Sequence, residues 1–90
     1  MDKAVITVVG RDTVGILARV CTYLAENGVN ILDISQTVVQ EFFNMMMIVD
    51  VAGCAKPFDA FGTGLSRLGM DMGLKIRCQK AALFEKMHRI

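Results

Sequence analysis

Glu26-Asn27-Gly28-Val29-Asn30-Ile31 and Asp71-Met72-Gly73-Leu74-Lys75-Ile76 repeat one pattern: an acid, a glycine two residues on, then apolar-x-Ile. In each, the glycine supplies the left-handed stop of a helix and the apolar-x-Ile begins a strand. Upstream of the first junction, Val14, Leu17, Val20, Cys21 and Leu24 share one helical face, while Arg19 and Glu26 lie off it. Asp12 or Thr13 is placed to cap that helix. Upstream of the second junction, Pro57 opens a helix where its missing N–H does no harm. Phe58, Phe61, Leu65, Leu68 and Met72 then follow in steps of three and four. Gly62, Gly64 and Gly69 each weaken this helix by roughly 1 kcal/mol relative to Ala, so packing must hold it. The spacing predicts helices over 14–27 and 57–72.

The segments between read as strands. Residues 4–9 are a β-branched run bounded by Gly10, a buried strand over 3–9. Over 30–39, Leu32, Ile34, Gln36 and Val38 alternate with Asp33, Ser35, Thr37 and Val39. Gln40 and Glu41 make a short turn, and residues 42–51 return as the second arm of a hairpin. Over 74–79, Leu74, Ile76 and Cys78 alternate with Lys75, Arg77 and Gln79, one buried face and one polar. Leu83, Met87 and Ile90 suggest a short C-terminal helix from Lys80 onward. The order β-α-β-β-α-β, then a helix, is that of an α+β, ferredoxin-like sandwich: a four-stranded antiparallel sheet with both long helices on one face. Residues 1–90 make a single domain, with no linker or low-complexity segment.

Of the 90 residues, 53% are hydrophobic, while a chain this short buries only about two-thirds of its unfolded surface. The excess must lie on a surface that something covers. Met45, Met46 and Met47, after Phe42 and Phe43, place adaptable apolar groups on both faces of one strand. A homodimer is the expectation. Ten basic against nine acidic residues give no strong field for nucleic acid or an anionic membrane. The apolar run after Asp2 and Lys3 is too short for a signal peptide, and no stretch reaches the ~18 apolar residues of a membrane span. Cys21, Cys54 and Cys78 form neither a disulfide framework nor a zinc motif, so reduced thiols in the cytoplasm are expected.

Chemistry concentrates in Gly10-Arg11-Asp12-Thr13-Val14-Gly15, between the first strand and the first helix. Backbone N–H groups and the positive end of a helix dipole meet there, which suits a carboxylate or phosphate. Gly15 removes a side chain, so a ligand or a neighbouring backbone can come close. Asn30, at the start of the adjacent strand, offers amide donors and an acceptor near this loop. Tight packing by Gly10 and Gly15 and a turn role for Asn30 explain the same residues equally well. The loop is not a P-loop, because Ile16 and Leu17 stand where Lys and Ser/Thr are required. His88, the single histidine, reads as a solvated surface residue, and Asp33 and Asp50 lack a cleft for carboxylate chemistry.

Over Gly10-Arg11-Asp12-Thr13-Val14-Gly15-Ile16 and Leu24-Ala25-Glu26-Asn27-Gly28-Val29-Asn30-Ile31, the chain resembles the ACT domain family. Leu32-Asp33-Ile34-Ser35-Gln36 and Met87-His88-Arg89-Ile90 extend the likeness over essentially the whole chain. It is similar to the small stand-alone members and to the regulatory domains of the glycine cleavage repressor and formyltetrahydrofolate deformylase. The resemblance implies a ferredoxin-like fold, no catalysis, no cofactor, and sensing of an amino acid or related small molecule at a dimer interface. Carried over residue by residue, it points to Asp12, Gly15, Asn30 and Ile31, with Arg11 and Val14 as weaker candidates. Many ligand-binding members have proline just before the glycine, where this chain has Val14.

Two rivals carry different chemistry. One is a ligand-free interaction module that works by docking on a metabolic enzyme or regulator. An acylphosphatase-like hydrolase would use Arg11 with Asn44, but the glycine-bounded phosphate loop of that activity is missing.

Overall fold

The computed structural model describes residues 2–87. Seven elements follow in order: β1 (Lys3–Arg11), α1 (Ile16–Glu26), β2 (Asn30–Val39), β3 (Phe42–Asp50), α2 (Phe58–Met72), β4 (Leu74–Lys80) and α3 (Ala81–Met87). Four strands form one antiparallel sheet in the order β2-β3-β1-β4. This is the ferredoxin-like arrangement that the sequence predicts. Ile90 and His88, which entered the reading of the C-terminal helix and of surface chemistry, lie outside the described residues.

The register sorts the side chains. Ala4, Ile6 and Val8 of β1 pair with Val49, Met47 and Met45 of β3, and all six are buried. Ile16, Val20 and Leu24 of α1 and Phe61 and Leu65 of α2 close over them. Ile76 and Leu74 of β4 complete this layer. Tyr23 ties the two helices together: its ring stacks on Phe61 at 5.5 Å, and its hydroxyl donates to the Phe61 carbonyl, 3.0 Å. Gly64 faces that hydroxyl, and a Cβ there would overlap Tyr23 Oη. The glycine that costs α2 intrinsic helix stability is what lets the helices meet.

Two expectations about α1 are corrected. Helix α1 begins at Ile16 rather than residue 14, so Val14 is not on its apolar stripe and is 99% exposed. Neither Asp12 nor Thr13 caps it; Gly15, at φ 88°, is the N-cap residue. The stripe is accordingly Ile16, Val20 and Leu24, with Leu17 largely outside it. Strand β2 has no buried face: all ten residues are exposed. It lies at the sheet edge, beyond the shelter of the helices, and Leu32 sits in an irregularity between Ile31 and Asp33. The two junction glycines behave as read, with Gly28 at φ 72° and Gly73 at φ 70°.

The other sheet face carries Thr7, Val9 and Arg11 of β1, opposite Met46, Asn44 and Phe42 of β3. Ser35, Thr37 and Val39 of β2 and Arg77 and Lys75 of β4 extend these three rows. Val5 shares this face yet is buried, and α3 packs against β1 and β4 beside it.

Candidate functional site

Loop 12–15 joins β1 to α1. The Asp12 N–H is engaged, donating to the Glu41 carbonyl at 2.8 Å, so the loop is tied to the β2–β3 turn. The Thr13 hydroxyl donates to the Arg11 carbonyl at 3.2 Å, and the Thr13 carbonyl receives the Ile16 N–H at 3.4 Å. Among the described residues, the amides of Thr13, Val14 and Gly15 have no partner. They sit at the start of α1, where the dipole favours an anion by roughly 0.3–1 kcal/mol. The anion cradle is thus one amide smaller than the sequence suggests, since Asp12 is used.

Gly15 owes its identity to its backbone. Its φ of 88° is left-handed, while a Cβ there would meet nothing within 4 Å. No internal contact excludes a side chain, and the space beside it is open to a visitor. Val14, fully solvated beside it, stands at the rim.

The structure separates the remaining candidates. Asn30 pairs with Asp50, and Asp50 with Lys3 at the start of β1, whereas Arg11 at the end of β1 pairs with Phe42. Eight residue steps of strand intervene, roughly 26 Å at a strand's rise. Asn30 and Ile31 therefore lie at the opposite end of the sheet from loop 12–15, and the proximity expected of them fails within one chain. The cause is strand direction: β1 ends where α1 begins, and α1 carries the chain back before β2 starts. Arg11 projects from the sheet face opposite the helices, beside Phe42, so it is also apart from the loop's amides.

Sequence reasoning missed the Asp12–Glu41 tie and the Thr13 bond. A hydroxyl two residues after the carbonyl it binds was the local signal for the second. Nothing local marks the first, because its partners are 29 residues apart (41 − 12). Among the described residues no group of His, Cys, Asp and Glu could hold a metal, and no helix is long and apolar enough to cross a membrane. Cys78 packs beneath α2; burial pushes its thiol up to about 11, with Lys80 pulling it down and Cys54 adding slightly to the rise.

Comparison with known proteins places this geometry. A family model described as the ACT domain matches residues 2–79. The chain belongs to the ACT domain family. Members of that family are regulatory modules that bind small molecules, and many of them dimerise. A UPF0237 protein of Bifidobacterium longum is 61% identical over 90 residues, covering 100% of both chains. An ACT domain protein from Streptococcus pneumoniae has a similar structure, TM-score 0.81 at 44% identity, over 93% of this chain and 94% of that one. Two larger proteins share the fold of this ACT chain. A formyltetrahydrofolate deformylase from Pseudomonas syringae matches at TM-score 0.83 and 20% identity, over 91% of this chain and 28% of its own. A glycine cleavage system transcriptional repressor matches at TM-score 0.75 and 24% identity, over 89% of this chain and 46% of its own.

Proposed function

We propose that this ACT domain senses an amino acid at a site shared by two copies of the chain. One copy contributes loop 12–15, whose amides of Thr13, Val14 and Gly15 receive the carboxylate. The other contributes Asn30 and Ile31, whose amide and backbone receive the amine or the side chain. The observation that carries this reading is the separation itself. The two halves of the family-type site lie at opposite ends of one sheet, and strand β2 between them is an unpaired edge.

Edge pairing supports the geometry. Antiparallel β2–β2 pairing centred on Gln36 sets Ile34 opposite Val38 and Ser35 opposite Thr37, with no like charges facing. It joins apolar side chains now 40% and 54% exposed. It also carries Asn30 of the partner subunit toward the Gln40–Glu41 turn, the same turn that holds the Asp12 amide. A long, apolar edge strand left alone is a liability that pairing removes.

The test is a thermal-shift screen of the twenty amino acids and of folate-pathway metabolites, since a specific ligand must raise the melting temperature. A hit should lose affinity in Asn30→Ala, and mixing Asn30→Ala with Gly15→Val chains should restore one intact site per dimer. Ile34→Lys with Val38→Lys should abolish the dimer in light scattering and the ligand's effect together. A ligand that binds a clean monomer, or binds both folded single variants unchanged, refutes the shared site. No hit at all favours the ligand-free docking module.

A further inference from the structure

The sheet face opposite α1 and α2 breaks the usual rule for an exposed antiparallel face, which is polar outward. Val9, Phe42 and Met46 project from it at 46%, 59% and 41% exposure, across two adjacent strands. Arg11, Lys75 and Arg77 flank them on β1 and β4. The other side chains in these rows are Thr7, Ser35, Thr37, Val39 and Asn44, so no acid answers the three bases there. The neighbouring carboxylates are those of Asp12 and Glu41, in the loop and turn just past Arg11 and Phe42, and that of Asp33, one row further, which accepts the Ile34 N–H at 2.8 Å.

The chain itself shows what this face takes. Helix α3 packs on β1 and β4 and leaves Val5 buried. A helix is thus an element that β1 and β4 already accept, and three bases with no acid in their rows call for one that carries carboxylates. We propose that the patch formed by Val9, Phe42 and Met46, edged by Arg11, Lys75 and Arg77, docks an acidic amphipathic helix of a partner protein. The partner's apolar stripe covers the first three residues, and its carboxylates meet the basic edge. Lys75 and Arg77 take no part in the small-molecule site proposed above, so the two ideas fail separately.

The probe is a short helical peptide with leucines on one face and glutamates flanking them, titrated into the isotopically labelled full chain. Amide shifts should centre on Val9, Arg11, Phe42, Met46, Lys75 and Arg77. Affinity should fall about tenfold or more in the folded double variant Lys75→Glu, Arg77→Glu, and again as salt screens the charges. Met46→Gln, an exposed change that spares the charges, should weaken binding by its apolar share. Four outcomes overturn the proposal: no shifts at millimolar peptide, shifts centred elsewhere, equal binding of the same peptide with lysines for glutamates, or a change of oligomeric state in the charge variant without peptide. The last would mean that this face joins copies of the chain.

Discussion

On the helix-covered side of the sheet, Ile6, Met47 and Phe61 have no exposed surface; in β2, two strands from Ile6, every residue is exposed. The two regions use similar apolar side chains. What differs is the number of neighbours: β1 and β3 have strands on both sides and helices above, while β2 has one strand and open space. Burial is set by topology more than by residue type, and the apolar residues that topology leaves uncovered are those available to partners.

Breaking the covered region should cost most. Phe61→Ala removes the ring that Tyr23 stacks on and should lower unfolding free energy by about 3–5 kcal/mol in urea titration. A loss below about 1 kcal/mol would mean that the helix layer is not the stable half. Next, Gly64→Val drives two methyls toward Tyr23 Oη and should cost about 1–3 kcal/mol, with loss of the Tyr23–Phe61 stacking signal in near-ultraviolet circular dichroism.

The open region should gain from change. Gln40 at φ 49° and Glu41 at φ 74° hold left-handed backbone without glycine, in a two-residue hairpin that favours Asn-Gly. Glu41→Gly should therefore raise stability by about 0.5–1 kcal/mol by thermal melting, provided the Asp12 bond to the residue-41 carbonyl persists. A destabilised variant would show that the turn is held by the Glu41 side chain instead.

The last effect is electrostatic, and its pH dependence vanishes at neutral pH. The folded chain holds the Cys78 proton more tightly than the unfolded chain, whose thiol titrates near the usual value of 9.0. That contribution is fully present below pH 9 and is lost as pH rises from 9 toward about 11. Over this window the melting temperature of the parent should fall more steeply than that of Cys78→Ala. Parallel curves would place the thiol in water.

Features written in consecutive residues were legible in the sequence. The helix stops at Gly28 and Gly73, the hairpin around residues 40–41 and the α2 stripe of Phe61 and Leu65 each depend on a few neighbours in the chain. The start of α1 was not legible, because Val14 extends the apolar spacing while Gly15's positive φ ends the helix behind it. The exposure of β2 was hidden for another reason: an alternating strand looks alike at an edge and beside a helix layer. Asn30 and loop 12–15 share a motif in sequence but not a place in one chain, since the spatial sense of a strand is fixed only once the sheet is assembled.

The amide of Asp12 and the carbonyl of Glu41 form a single bond between two surface loops. Such a bond breaks and re-forms without unfolding the core, so the Asp12 proton exchanges with solvent in proportion to the fraction of time that the hairpin tip is parted from the loop. Its exchange is a gauge of how far that equilibrium lies toward the parted state. A visitor settling on the neighbouring amides would slow it without touching it, and the slowing would be visible before any change in the melting curve.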